Sequence, residues 1–538
     1  MFNFASGDVA ATERLMDIGI WPWWTFPEIH AAFFRPVAVA SHWLDYQFWP
    51  DHPPFMHLHS VLWFAVLVHA TTKMYRRFLG YAWTAGLAAL LYAIDDARGM
   101  PVGFLANRNA ILATLFGVYA VICHDRWRRD GWAPGAVLAP LLFAVSLLSS
   151  EFGIGAAAYL FAHALFIDRG GLRSRVLAMM PYVAVIAAWR VMWTKLGYGI
   201  WGVGFYVDPL REPLEYLAAL FERAPVLVLG QFLLPPSDLH LLWVDLGLKW
   251  PCSAGALAMV VVIAAIMLPR LTKNAATRFW ACGALMSLVP ICSTFAADRL
   301  LFFVGLGGFA LIADFVATVQ RPQTERGLRA MPPSAFASAR TLAILLIVVH
   351  LAIAPLALAV RSALPAGPPA LVEKLQVKLH IGNEVERQSV VVINAPLPLL
   401  VGYLPQRRAL EGLPVPAHTR VLAPCDPNGI VWSRPDANTI VIRPAGGFIA
   451  YSFDRLARDS DHAMAAGQRV ELTGMTAEVL AVTDDGRPAE VAFHFDVPLE
   501  DPTLRWLCWG REGFEPTVPP PIGSQVALEH NRWIPFFD

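Results

Sequence analysis

Ten apolar stretches set the limits on how this chain folds. They lie at residues 56–72, 80–98, 105–123, 134–150, 153–168, 176–194, 251–268, 279–296, 300–318 and 341–362. A helix needs about 17–25 such residues to cross a bilayer core, and several of the ten fall near the lower end of that range. In hydrocarbon every backbone N–H and C=O must be satisfied within its own segment, so stretches of this kind read as membrane helices. Composition agrees. Of the 538 residues, 56% are hydrophobic and 16% charged, a balance that reads as a polytopic membrane protein. Lys+Arg and Asp+Glu each number 42, so no positive excess points to nucleic acid. Many of the 19 Trp cluster at predicted helix ends, as interfacial belts do. The six Cys are scattered without metal-ligand spacing. Cys252, Cys282 and Cys292 lie in apolar segments, while Cys425 and Cys508 are the two that a bond in the C-terminal region would join.

Basic clusters between the apolar stretches give an orientation, since Lys and Arg accumulate on the cytoplasmic side. The clusters are Lys73, Arg76 and Arg77; Arg126, Arg128 and Arg129; Arg169, Arg173 and Arg175; Arg270, Lys273 and Arg278; and Arg321, Arg326, Arg329 and Arg340. All five share one side if residues 195–250 lie wholly on the other, with the short apolar run 224–235 as a re-entrant or interfacial helix. Residues 1–55, the loop 95–109, the turn Ser149–Glu151, the loop 195–250, the turn Asp298–Arg299 and everything after 363 are then extracytoplasmic. An N-terminus outside requires an upstream helix to carry it across, or translocation driven by the first apolar segment.

The last third differs in kind. Pro and Gly are frequent, and short alternating runs appear at 388–395, 438–444, 447–453, 469–474, 489–495 and 504–509. These read as strands at sandwich-like spacing. The chain thus divides into residues 1–363, a transmembrane domain with extracytoplasmic loops 1–55, 95–109 and 195–250, and residues 364–538, an extracytoplasmic β-rich domain.

The most telling stretch is Tyr92 to Ala120, YAIDDARGMPVGFLANRNAILATLFGVYA. It starts and ends as membrane helix and holds Asp95, Asp96, Arg98, Asn107, Arg108 and Asn109 between. Ionisable groups at a membrane boundary are costly unless they meet water, headgroups or partners. With it come FFRPVAVASHWLDYQFW (33–49), FMHLHSVLWFAVLVHA (55–70), LLSSEFGIGAAAYLF (147–161) and ADRLLFFVGLGGFALI (297–312). In this order the segments resemble the GT-C superfamily of integral-membrane glycosyltransferases, in its O-mannosyltransferase-like and RgtA-like bacterial branch. The likeness covers roughly residues 1–320 and leaves the β-rich part outside. Three positions depart from the branch's pattern. The first loop carries Asp8, then Glu13 and Asp17, where adjacent acids are usual. Ile94-Asp95-Asp96-Ala97-Arg98 replaces a His-Pro-containing loop, and Ser150 stands where the "SKE" turn has Lys.

The resemblance implies a GT-C-like bundle of about ten membrane helices, lacking its first, in the bacterial inner (cytoplasmic) membrane. It implies an enzyme that moves a sugar from a polyprenyl-phosphate donor to an acceptor hydroxyl on the extracytoplasmic face. Membrane lipid and a lipid-linked sugar are the expected partners, with a glycan, lipid or protein acceptor. No cofactor or metal is assigned. Such chemistry needs a carboxylate to take the acceptor's proton and groups that hold the phosphate as charge develops. By position, Asp8 and Glu151 are the expected catalytic acids. Asp8 is otherwise a solvated acid near a terminus, and Glu151 a structural partner of Arg35 or Arg108. Asp95 and Asp96 are expected at the substrate, as a second acid or as partners of Arg98 or Arg108. Arg108 and Arg299 suit phosphate by their guanidinium fork, or snorkel to headgroups. Arg35 contacts phosphate or fixes the first loop. His57 matches a helix start that hydrogen-bonds loop or substrate. Asp51 with His52, His57 and His59 reads less well as a metal cluster, lacking paired carboxylates. The aromatics of 193–206 stack on sugar or form a belt.

Two other functions compete. A catalytically lapsed GT-C-like scaffold would use the β-rich domain for binding. A transporter of lipid-linked material would show inverted repeats and broken helices at mid-membrane, and the sequence shows no repeat.

Overall fold

The computed structural model describes residues 5–80, 82–271, 274–320, 333–363, 383–510 and 513–528. Lys273, Arg321, Arg326 and Arg329 of the basic clusters lie outside these. Two compact units emerge: a helical one of Phe33–Tyr198 and Val207–Pro365, and a β-rich one of Met1–Ala32, Gly199–Tyr206 and Ala366–Asp538. The first 32 residues and the segment 199–206, which the sequence places with the membrane helices, share the strands' unit.

In the helical unit each apolar stretch is a helix. Among the described residues six helices are long and apolar enough to cross a membrane: Pro53–Leu79, Leu105–Asp130, Leu172–Lys195, Lys249–Met267, Phe302–Gln320 and Phe336–Ala363. Trp83–Ile94, Gly135–Ser149, Glu151–Phe166 and Ala275–Ile291 are shorter. The run 224–235 is not a short separate helix. It is the second half of the 20-residue helix Pro213–Phe232, whose first half carries Glu215 and Glu222 and so hides the helix from a hydropathy reading. The last apolar helix changes character midway. Pro333–Val348 passes through a π-helical turn, Val349–Ile353, into Ala354–Ala363.

The helix Phe302–Gln320 runs through the middle. It is buried on all sides from Phe302 to Ala317, as a helix apolar nearly all round is, and its one carboxylate, Asp314, accepts from the Thr277 hydroxyl at 3.0 Å. Three tyrosines from three other helices reach its backbone. Tyr75 donates to the Leu306 carbonyl at 3.0 Å, Tyr92 to Phe302 at 3.3 Å and Tyr159 to Phe303 at 2.5 Å. Tyr159 also accepts from the Gly307 N–H at 2.8 Å. Glycine makes this approach possible. A Cβ at Gly307 would lie 2.3 Å from the Trp280 carbonyl oxygen and 2.7 Å from the Ala284 Cβ.

The β-rich unit holds twelve strands among its described residues: β1 (His30–Ala32), β2 (Gly199–Trp201), β3 (Ser389–Ala395), β4 (His418–Pro424), β5 (Ile430–Ser433), β6 (Thr439–Pro444), β7 (Arg469–Leu472), β8 (Met475–Val482), β9 (Pro488–Phe495), β10 (Leu504–Trp509), β11 (Phe514–Pro516) and β12 (Gln525–Leu528). They form sheets of order β1-β2, β11-β10-β3-β4 and β12-β5-β6-β9-β8-β7. The four-stranded sheet is mixed, with β3 parallel to both β4 and β10. The six-stranded sheet, by contrast, is antiparallel throughout. β3, Ser-Val-Val-Val-Ile-Asn-Ala, is buried at six of its seven positions. A nearly continuous apolar strand of this kind is covered on both faces, as parallel strands are. Residues 447–453 form turns in place of the expected strand, with Gly447 at φ 75° and Ile449 at φ 56°. The N-terminal segment completes the core. Trp23 and Trp24 are buried among the strands' valines and isoleucines, and the Trp23 indole donates to the Leu422 carbonyl at 2.9 Å. Gly19, in the left-handed region at φ 86°, ends the helix Val9–Ile18 beside Thr419, whose oxygen a Cβ there would overlap. Cys425 and Cys508 are both free thiols, so the bond between them does not form.

Two glycine substitutions test the role of the central helix. Gly307→Ala is expected to destabilise the protein by about 1–3 kcal/mol, the usual cost of an overpacked site. Gly86→Ala, in a helix where nothing stands within 4 Å of the new Cβ, is expected to be neutral or to stabilise by up to about 1 kcal/mol. Thermal unfolding in detergent reads both, and equal effects would overturn the packing argument.

Candidate functional site

The residues singled out from the sequence fall in three places. Asp8, in the β-rich unit, is exposed and caps its own helix, its Oδ1 accepting from the N–H groups of Ala10 and Ala11 at 3.0 and 3.3 Å. That is ordinary N-cap geometry. In the helical unit Glu151 and Arg35 do meet, Oε2 to Nε at 2.7 Å, and Glu151 Oε1 accepts from the Phe34 N–H at 3.2 Å. Both carboxylate oxygens are occupied, and Arg35 lies over the Phe33 ring. His57 is exposed near the start of Pro53–Leu79, and Arg299 stacks on Phe295.

Arg108 is fully buried. Its donors go to Ser60 Oγ at 2.9 Å, Ser41 Oγ at 3.0 Å and the Met56 carbonyl at 2.8 Å, and it pairs with Asp45 Oδ2 at 2.5 Å. Asp45, 1% exposed, also binds His59 Nδ1 at 2.6 Å, and His59 Nε2 accepts from the Trp63 indole at 2.8 Å. This ring of partners belongs to the LDY and HLHS segments of the sequence. It leaves Arg108 closed to a phosphate as placed. His59 is likewise held by protein partners.

Asp95 and Asp96 stand elsewhere, at a cavity of about 150 Å³. The helix Trp83–Ile94 ends at Asp95, and a tight turn over Asp96–Arg98 follows. Across the cavity lie Gln231, Asp298, His350 and Arg361, with Leu233, Leu301, Ile353 and Ala357 as its apolar wall. Arg361 gathers three carboxylates: Nη1 to Asp96 at 3.2 Å, and Nη2 to Asp238 at 2.7 Å and Asp298 at 2.9 Å. Asp298 Oδ1 accepts from the Ser237 N–H at 2.8 Å. The helix bearing Arg361 sits close because Gly99 faces it; a Cβ there would come 2.7 Å from the Arg361 Cβ. Asp95 pairs with the buried Arg98, Oδ2 to Nη2 at 3.3 Å, and Arg98 lies between the rings of Tyr92 and Phe302.

Four carboxylates against two guanidiniums leave two negative charges in excess. Burial pushes the Asp95 carboxyl up to about 6, with Arg98 opposing, and burial together with the Asp95 charge pushes Asp96 up to about 6. Such carboxyls hold or release a proton near neutral pH.

Asp45, Asp238 and Arg361 did not stand out in the sequence, and Asp298 did so only as a turn residue. Their signal was weak but present: each is an ionisable residue abutting an apolar run, which by itself marks a functional candidate. No family model and no curated protein matches this chain.

Two predictions follow from the electrostatics. Arg108→Gln strands a buried carboxylate and is expected to cost about 3–5 kcal/mol; Asp45→Asn added to it restores part of the loss, read by thermal unfolding. For Asp96 the folded pKa lies above the ordinary value of 3.8, so the folded state binds the proton more tightly. Stability then falls as pH rises from about 4 to about 6, and the penalty persists above that. Asp96→Asn removes it. The variant should gain on wild type between pH 4.5 and 7 by up to about 3 kcal/mol, and parallel pH profiles would show that Asp96 carries no such burden.

Proposed function

We propose that this chain is a membrane glycosyltransferase that moves a sugar from a polyprenyl-phosphate donor to an acceptor hydroxyl, and that the Asp95–Asp96 cavity is where the sugar is handled. One observation carries the reading: two adjacent carboxyls, both raised to about 6, line a cavity at the ends of membrane-length apolar helices. A cavity of about this volume takes a six-membered ring. Asp96, 23% exposed along its side chain, is the base that takes the acceptor's proton. Asp95, more deeply buried, sets its proton affinity. Glu151 and Arg35 brace the loop that begins the helical unit. The apolar outer faces of the long helices serve the lipid tail. The bacterial inner membrane, with this site and the β-rich unit on its outer side, is the setting that agrees with the basic clusters.

The binding of Asp8 as a helix cap and of Glu151 in an ion pair also favours a second reading, a lapsed enzyme serving as a membrane scaffold. One assay separates the two. Membranes holding the full chain are supplied with a panel of radiolabelled polyprenyl-phosphate sugars. Wild type should transfer label from one donor. Asp96→Asn should lower the rate by about 10²–10⁴-fold, the usual worth of a general base, at unchanged abundance. Glu151→Gln should act through lost protein and Asp8→Asn should act little. Transfer from no donor would leave the scaffold, and an active Asp96→Asn would remove Asp96 from the chemistry.

A further inference from the structure

At the opposite end of the helix Leu105–Asp130 from Arg108, three corners of the chain meet through ion pairs. Arg77, in the last turn of Pro53–Leu79, binds Asp125 and reaches Asp130 at 2.8 Å. Arg128 reaches Asp168 Oδ2 at 2.7 Å, in the turn between Glu151–Phe166 and Leu172–Lys195. These corners hold nine Lys and Arg, in 73–77, 126–129 and 169–175, and three carboxylates, Asp125, Asp130 and Asp168. Arg77, Arg128 and Arg129 bind all three carboxylates, so six cations stand in excess. The turn Asp168–Arg175 shows how the cations divide. Two build it. Arg128 ties Asp168 and donates to Ser174 Oγ at 2.8 Å, passing so near Gly170 that a Cβ there would lie 2.7 Å from its Nη2. Arg175 donates to the carbonyls of Gly170 at 2.7 Å and Ala164 at 3.0 Å. The other two, Arg169 and Arg173, are exposed and have no carboxylate partner among the described residues. Within four residues of them, Leu165, Leu172, Val176 and Leu177 are exposed as well, and only 11% of the apolar window of Leu172–Lys195 is buried.

We propose that the turn Asp168–Arg175 is a binding site for an anionic phospholipid, its phosphodiester held by Arg169 and Arg173 and its acyl chains lying on Leu172–Lys195. The guanidinium fork suits a pair of phosphate oxygens. Apolar side chains beside two arginines set the depth, with the leucines in hydrocarbon and the charged heads at the level of the phosphates. A soluble anion would answer the charge and leave the leucines uncovered. A zwitterionic lipid would cover the leucines but bring a cation of its own to a surface already in excess of cations. Charge and apolar exposure together therefore select a lipid of net negative charge. Such a site is independent of the glycosyl-transfer reading.

The test is native mass spectrometry on the full chain, delipidated in detergent and titrated with dioleoyl phosphatidylglycerol, dioleoyl phosphatidylcholine or glycerol phosphate. Wild type should retain phosphatidylglycerol at least about tenfold better than phosphatidylcholine, and glycerol phosphate at equal concentration should not displace it. Arg169→Gln and Arg173→Gln should each weaken retention by about fivefold. Neither arginine binds a carboxylate, so thermal unfolding without lipid should stay near wild type in both. Lys195→Gln removes the same charge from the other end of the same helix and should leave retention unchanged. Equal retention of the two lipids, or equal losses in Arg173→Gln and Lys195→Gln, overturns the proposal. Displacement by glycerol phosphate makes this a site for a soluble phosphate and overturns it too. Should the arginine variants not fold, wild type still decides: a preference that survives raising ammonium acetate from about 0.1 to about 1 M is not electrostatic and sinks the idea.

Discussion

The helical unit depends on backbone approaching side chain along one helix. Phe302–Gln320 has no polar face to turn to solvent, and its position is fixed by hydroxyls of Tyr75, Tyr92 and Tyr159 reaching carbonyls near its first turns. A helical carbonyl already serves its own i+4 N–H and has a second lone pair to offer. In an apolar interior such a bond has no competing water, and apolar packing alone offers little direction. The tyrosines supply direction, and Gly305, Gly307 and Gly308 supply the room. The arrangement also sets the site. Tyr92 is three residues from Asp95, and Asp298 begins the turn that leads into the central helix, so the same contacts that seat the helix bring these two carboxylates to one end of it.

The charges are sorted by burial. Asp45–Arg108 is a buried pair closed in by Ser60, Met56 and His59, and it acts as structure. At the far end of the same helix, Asp125 is clasped by Arg77, Arg129 and His163 in a similar way. The two pairs are 17 residues apart, about 25 Å along a helix, with only apolar and small side chains in most of the interval. The Arg361 cluster differs from both. It has an excess of carboxylates, one member exposed at Asp238, and a cavity beside it. The closed clusters read as fasteners; the one that borders a cavity reads as a site.

Much of this was legible in the residues. Every apolar run became a helix, and the Asp95–Asp96 loop, picked for its ionisable groups, lines the cavity. Other features were hidden for definite reasons. Arg361 meets Asp96 across more than 260 positions of sequence, and a single basic residue at the end of an apolar run is also what a lipid-facing helix end shows. The alternation of 447–453 mimics a strand, yet Gly447 and Ile449 take positive φ and break it. The parallel pairing of β3 was hinted at by its unbroken Val-Val-Val-Ile, which short antiparallel strands seldom carry. The helix Pro213–Phe232 escaped because its acidic first half conceals its length.

The π-helical turn at Val349–Ile353 has its own meaning. A π turn is one residue more than an α turn takes, and each residue of an α-helix advances the azimuth by about 100°. The turn therefore works as a phase step in the longest apolar helix. Upstream, the phase is set by Ala339, Leu342, Ala343 and Leu346 packing into the core; downstream, by Gly99 and Gly103 against Arg361 and Ser362. The count of residues between them is thus part of the site. Apart from His350, which is tied to the Phe232 carbonyl, it is the number of residues in the step that matters, because one residue fewer would swing Arg361 a quarter of a circle away from its three aspartates.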